Sequence, residues 1–122
     1  MNTLTNIKDL AKRNDLFRKV ILTGRKSQLV LMSLRPGEDI GEEIHGEIDQ
    51  MFFIVEGKAE LIMGGKPITL DEHEVALVPA GVKHNLINPG KKPIKLFTIY
   101  SPPAHAEGET QKVKPEFASK KY

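Results

Sequence analysis

The feature that most constrains this chain is a succession of short runs rich in β-branched and aromatic residues, each closed by Gly, Pro, Asn or Asp. FRKVILT (17–23), SQLVLMSLR (27–35), QMFFIVEG (50–57), KAELIMG (58–64), PITL (67–70), VALVP (75–79), HNLIN (84–88) and IKLFTIY (94–100) read as strands. Thr23-Gly24, Pro36-Gly37, Gly64-Gly65, Pro79-Ala80-Gly81 and Asn88-Pro89-Gly90 supply the turns between them. Gly64-Gly65 between two runs predicts a hairpin, because a two-residue loop that matches the strand twist needs positive φ at both positions. Strands at this near-regular spacing predict an all-β sandwich or barrel of the jelly-roll kind. They do not alternate with helices, which argues against a doubly wound α/β sheet. The one helical signal lies at residues 6–13, where Ile7, Leu10 and Ala11 fall at i, i+3 and i+4 behind Thr5 or Asn6 as a cap.

With 122 residues the chain makes one domain, large enough for a core of its own. Three regions are expected: a helix and first strand over 1–26, the barrel core over 27–100, and a C-terminal tail over 101–122. Pro102-Pro103 ends the last strand, since proline cannot donate to a ladder. The stretch KVKPEFASKKY (112–122) then reads as a solvated end from which Val113 and Phe117 are free to dock on a neighbour.

Lys and Arg total 18 against 16 Asp and Glu, a net charge of +2, so no dense basic face for nucleic acid is expected. The chain has no cysteine, which excludes thiolate zinc sites, disulfides and a cysteine nucleophile. No apolar run approaches the ~18–20 residues needed to cross a bilayer, and the first residues lack the apolar core of a secretory signal. The expected location is cytoplasmic. Neither a Walker-type phosphate loop nor a G-x-G-x-x-G turn is present, so nucleotide chemistry has no support.

Two constellations carry chemistry. In G37-EDIG-E42-E43-I-H45-GEID-Q50, Glu43 and His45 stand two apart, so in extended chain they share a face. A turn around Gly46 brings Gln50 to the same point from the next strand, where Gln50, Phe52 and Ile54 share a face. In P79-A-G81-VK-H84-NLI-N88 the Pro-x-Gly turn reverses the chain, and His84 opens a strand on which His84, Leu86 and Asn88 point the same way. Oxygen and nitrogen groups from distant parts of the sequence thereby converge. The competing reading leaves Glu43 within a solvated acidic run of Glu38, Asp39, Glu42, Glu47 and Asp49, which holds no Lys or Arg.

These stretches resemble the paired motifs of the cupin superfamily in its small single-domain bacterial form. The first family pattern, G-x5-H-x-H-x3-4-E-x6-G, is matched in framework by Gly37, Glu43, His45, Gln50 and Gly57. The second, G-x5-P-x-G-x2-H-x3-N, is matched by Pro79, Gly81, His84 and Asn88, with His73 where glycine is usual. The resemblance covers residues 27–100. It implies a single jelly-roll β-barrel whose mouth holds one divalent metal ion (Fe, Mn, Zn or Ni). Carried over by position, the ligand set falls on Glu43, His45, Gln50 and His84. The family's first histidine has become Glu43 and its glutamate Gln50, so the carboxylate has changed strands. Gln50 is then either a weak fourth ligand or a residue that positions a metal-bound water.

The ending Leu96-Phe97-Thr98-Ile99-Tyr100-Ser101-Pro102-Pro103 fits a subset of small bacterial cupins, similar at fold level to mannose-6-phosphate isomerase. The resemblance implies a small-molecule partner and a homodimer, while the charge balance and the lack of a long apolar run predict no nucleic-acid or membrane partner. It also implies a metal-dependent enzyme of dioxygenase or sugar/keto-acid isomerase type. A non-catalytic sugar- or metabolite-binding cupin without metal is the alternative, and an assembly protein with an empty pocket is the third reading.

Outside these motifs the residues read plainly. His73 is expected in a surface turn and Lys83 in solvent. His105 is expected as a tail residue rather than as a proton carrier folded over the mouth. The Tyr100 hydroxyl faces either the pocket or water. Phe52, Ile54, Leu61, Met63, Leu86 and Leu96 are expected in the core.

Overall fold

A computed structural model describes residues 4–115. The order is α1 (Ile7–Arg13), β1 (Arg18–Thr23), β2 (Gln28–Leu34), β3 (Asp49–Glu56), β4 (Ala59–Met63), β5 (Lys66–Leu70), β6 (Val75–Val78), β7 (His84–Ile87), β8 (Ile94–Ser101) and β9 (Thr110–Gln111). A six-stranded sheet of order β6-β3-β8-β2-β1-β9 faces a three-stranded sheet of order β5-β4-β7. The smaller sheet is extended past β7 by residues 39–43, through bridges of Asp39 with Ile87 and Glu43 with His84. This is the expected jelly roll. Among the described residues its two sheets are not joined by hydrogen bonds into one continuous ladder.

The alternation of the strands decides which residues meet inside. Along β3, Gln50, Phe52 and Ile54 are buried between exposed Asp49 and Met51 and half-buried Phe53. Along β8, Leu96, Thr98 and Tyr100 take the inner face. Phe52 and Leu96 from the larger sheet meet Leu61 and Leu86 from the smaller one in a single core. The β4–β5 turn has φ of 59° at Gly64 and 83° at Gly65, which is why a double glycine stands there. Gly57 has a φ of 102°, and a Cβ on it would lie 3.1 Å from Ile94 Cγ1, so a larger residue would be strained in its backbone and would have to displace Ile94.

The helix is short and depends on its packing. The Asn6 side chain accepts from the Asp9 amide at 3.0 Å, capping the first turn. Ala11, with Ile7 and Leu10, then seats on Leu31, Val55, Phe53 and Phe97 of the outer sheet face. Buried Lys95 ties the chain leaving the helix to the sheet: its Nζ donates to the Asn14 carbonyl at 2.6 Å, Asp15 Oδ1 at 2.9 Å and Ser33 Oγ at 3.1 Å.

The segment after β8 adds a short strand that the sequence pattern did not announce. Thr110 and Gln111 pair with Lys19 and Arg18 as a ninth strand, and Lys114 forms an ion pair with Asp39. Gln28 anchors the segment ahead of it. Its Oε1 accepts from the amides of Ala104 and His105 at 3.1 and 3.0 Å, and its Nε2 donates to the His105 carbonyl at 2.7 Å. Val113 is exposed, while Phe117 lies outside the described residues.

Candidate metal centre

The expected convergence is present at one end of the sandwich. Glu43 and His84 sit opposite each other on adjacent antiparallel segments, each amide donating to the other's carbonyl at 2.9 Å. That pairing sets their side chains side by side. The Gly81 amide donates to the His45 carbonyl at 2.8 Å, so the Pro79–Gly81 turn fixes His45 against the start of β7. Gln50 arrives from β3, held in register between Val78 and Tyr100. Glu43, His45, Gln50 and His84 are all buried, with at most 3% of any of them exposed. Glu43 has therefore left the acidic run, whose other members are exposed or half-buried.

The distances suit a small cation. His45 Nε2 lies 3.2 Å from Glu43 Oε1, His84 Nε2 lies 3.9 Å from the same oxygen, and Gln50 Oε1 lies 3.1 Å from His84 Nε2. One ligand atom from each of Glu43, His45 and His84 falls within 4.8 Å of the others. Donors held at ~2.0–2.2 Å from a common ion lie roughly 3.0–3.5 Å apart, so the His45–Glu43 and His84–Gln50 separations already fit, while the Glu43–His45–His84 triad as a whole would have to draw together around an ion.

The proton inventory points the same way. A carbonyl only accepts, so the Nδ1 of His84, 3.0 Å from the Val82 carbonyl, carries a proton and donates it. In the neutral ring Nε2 then holds a lone pair. Burial, the largest influence on His84, keeps its pKa below the ordinary 6.5. The Val82 carbonyl and the Glu43 carboxylate pull it up, and His45 pushes it down. In that tautomer the neutral ring would meet the Gln50 amide oxygen, 3.1 Å away, lone pair to lone pair. A cation relieves such a contact, and two imidazoles with one carboxylate and open positions match the facial triad used for divalent metals.

The surroundings are apolar and aromatic. Phe52 stands edge-on to His84 with centroids 5.9 Å apart, and Tyr100 edge-on to His45 at 5.7 Å. His105 is not the plain tail residue expected. It is buried, packs edge-on to Tyr100 with centroids 5.1 Å apart, and places Nε2 3.4 Å from the Tyr100 hydroxyl. The tail reading missed this because Gln28, which fixes His105, lies 77 residues away. His73 is on the surface as expected. It has a φ of 70° and stacks on Phe53. Lys83 is exposed, 4.0 Å from Glu42.

Thr98 was overlooked. Its hydroxyl donates to the Met51 carbonyl at 2.8 Å and accepts from Gln50 Nε2 at 3.0 Å. A threonine on an inward-facing strand position between Leu96 and Tyr100 was the available signal.

The Cupin domain family matches residues 30–100. The protein YrkC of Bacillus subtilis is 40% identical over 117 residues, which make up 91% of this chain and 63% of YrkC. The chain thus spans less than two thirds of that relative's length. The crystal structure of BH2720 from Bacillus halodurans has a TM-score of 0.90 at 38% identity, covering 93% of this chain and 91% of that one. A mannose-1-phosphate guanylyltransferase of Salmonella montevideo is 36% identical over 78 residues, 64% of this chain and 17% of that protein. Its short overlap likens this chain to one part of that protein and not to the whole. With the family match reaching across most of the strands, and both motifs meeting at one buried site, the chain belongs to the cupin family.

Proposed function

We propose that this chain is a metal-dependent cupin that acts on a small organic molecule, as an enzyme of dioxygenase or sugar/keto-acid isomerase type. The observation that carries the reading is the buried convergence of Glu43, His45, His84 and Gln50, in which Gln50 Oε1 lies 3.1 Å from His84 Nε2. A divalent cation bound there supplies Lewis-acid polarisation of a substrate oxygen or, as iron, a seat for dioxygen. Glu43 offsets the cation's charge, while Val82 holds the His84 ring in the tautomer that presents Nε2. Phe52 and Tyr100 give the site a low-polarity wall, which strengthens the electrostatic interactions inside it. Sequence likeness to part of a mannose-1-phosphate guanylyltransferase supports a sugar-related ligand. Among the described residues no helix is long and apolar enough to cross a membrane. A cytoplasmic location and a homodimer, without nucleic acid or membrane as partner, complete the reading.

A second reading, a non-catalytic cupin that binds a sugar or other metabolite without metal, draws on the 3.2 Å contact of His45 with Glu43, which needs no ion. One experiment separates the two. Elemental analysis of untagged protein, purified without chelator, is expected to find near-stoichiometric Fe, Mn, Zn or Ni that is lost in His84→Ala. Iron would direct assays to oxygen consumption, and the other metals to isomerisation. Protein that takes up no metal, even after reconstitution, would overturn the first reading and favour the second.

A further inference from the structure

We infer that Thr98 is a positioning residue for this centre: its buried hydroxyl fixes the Gln50 amide so that oxygen, not nitrogen, faces the His84 ring. The inference rests on the metal-centre reading above. The Met51 carbonyl can only accept, so the hydroxyl spends its single proton there, at 2.8 Å. What Thr98 then offers Gln50 is a lone pair, and the amide nitrogen at 3.0 Å fills it. Rotating the amide would set its oxygen against the Thr98 oxygen, two acceptors in contact. The amide oxygen is thereby turned on His84 Nε2, whose own lone pair is fixed from the far side by the Val82 carbonyl.

Without Thr98 the amide is free to turn over. Its N–H would then satisfy His84 Nε2 directly, producing a metal-free pocket with no opposed lone pairs. Thr98 withholds that alternative and keeps an oxygen presented to a cation. The identity of the residue agrees with this role. Thr98 is fully buried between the inward-facing Leu96 and Tyr100, a position where valine would pack as well and bring no polar group.

The test uses full-length, chelator-stripped protein titrated with Co2+, whose visible absorption reports the ligand set. Thr98→Val is expected to weaken binding by about tenfold, no more than loss of the Gln50 oxygen that it orients, and to alter the spectrum. Thr98→Ser is expected to restore both. Adding Gln50→Glu to Thr98→Val is expected to recover affinity, because a carboxylate accepts at both oxygens and has no wrong orientation. Thr98→Ala carries the same expectation as Thr98→Val and is read if the valine variant does not fold. A folded Thr98→Val with wild-type affinity and spectrum would overturn the positioning role while leaving the metal centre standing. A loss that Gln50→Glu does not recover would mark Thr98 as a packing residue and overturn it too. Wild-type protein that binds no Co2+ would remove the metal-centre reading and this inference with it.

Discussion

His84 links the site to the stability of the chain at the scale of single residues. Its ring is buried and held neutral below the ordinary pKa of 6.5. In the unfolded chain the same ring takes up a proton near that value. Between the folded and unfolded pKa values the unfolded state therefore binds more protons, and folding stability falls as the pH drops through the window. Urea unfolding of EDTA-treated protein is expected to give a lower midpoint at pH 5.5 than at pH 7.5, with a smaller difference in His84→Gln. An equal pH response in the two proteins would assign the effect to other groups. The proposed ligand residues also differ in what their loss should do. Glu43 carries the charge, so Glu43→Ala is expected to abolish metal uptake. Gln50 brings only a neutral amide oxygen, and Gln50→Ala is expected to weaken uptake by about tenfold. Competition with a chromogenic chelator would measure both, and equal losses would contradict this ranking.

At the scale of elements, the strands were readable because each buries one face, and a period of two then shows in the residues themselves. β3 and β8 are the plain cases: Gln50, Phe52 and Ile54, and Leu96, Thr98 and Tyr100, lie inward as their alternation requires. The site's convergence was readable for the same reason, since Glu43, His45 and His84 needed only correct facing and a turn at Gly81. What escaped were interactions with no local pattern. β9 is two residues long, too short for a period, and it exists because Thr110 and Gln111 find the free edge of β1. The inward fold of His105 depends on one amide side chain from β2. That dependence is testable. Gln28→Ala removes the acceptor of the Ala104 and His105 amides. With roughly 1 kcal/mol for each bond, hydrogen exchange at each of these two amides is expected to rise about fivefold, while the strands keep their protection. Unchanged exchange would mean that the segment is held by something other than Gln28.

For the whole molecule, the outer face of the larger sheet sets the remaining question. Part of it is closed by α1, with Ile7, Leu10 and Ala11 over Leu31, Val55, Phe53 and Phe97. The part beyond is apolar and open: Val75 is 58% exposed, Leu77 52% and Met51 37%. Val75 and Leu77 belong to β6, which ends the sheet and, among the described residues, pairs only with β3. Its four residues, Val-Ala-Leu-Val, contain none of the lysines or prolines with which proteins commonly blunt an edge. An edge with free backbone groups and an apolar flank favours association, and the same edge on a second copy offers a matching, self-complementary partner about a two-fold axis. The proposed homodimer is therefore expected across β6. Light scattering on eluted wild-type protein should give twice the 13.6 kDa of one chain. Leu77→Lys should shift it to a single chain, with a melting temperature lowered only by what the lost pairing contributed, since an exposed position carries little of the monomer's own stability. A monomeric wild type at tens of micromolar, or a dimer indifferent to Leu77→Lys, would place the association elsewhere or remove it.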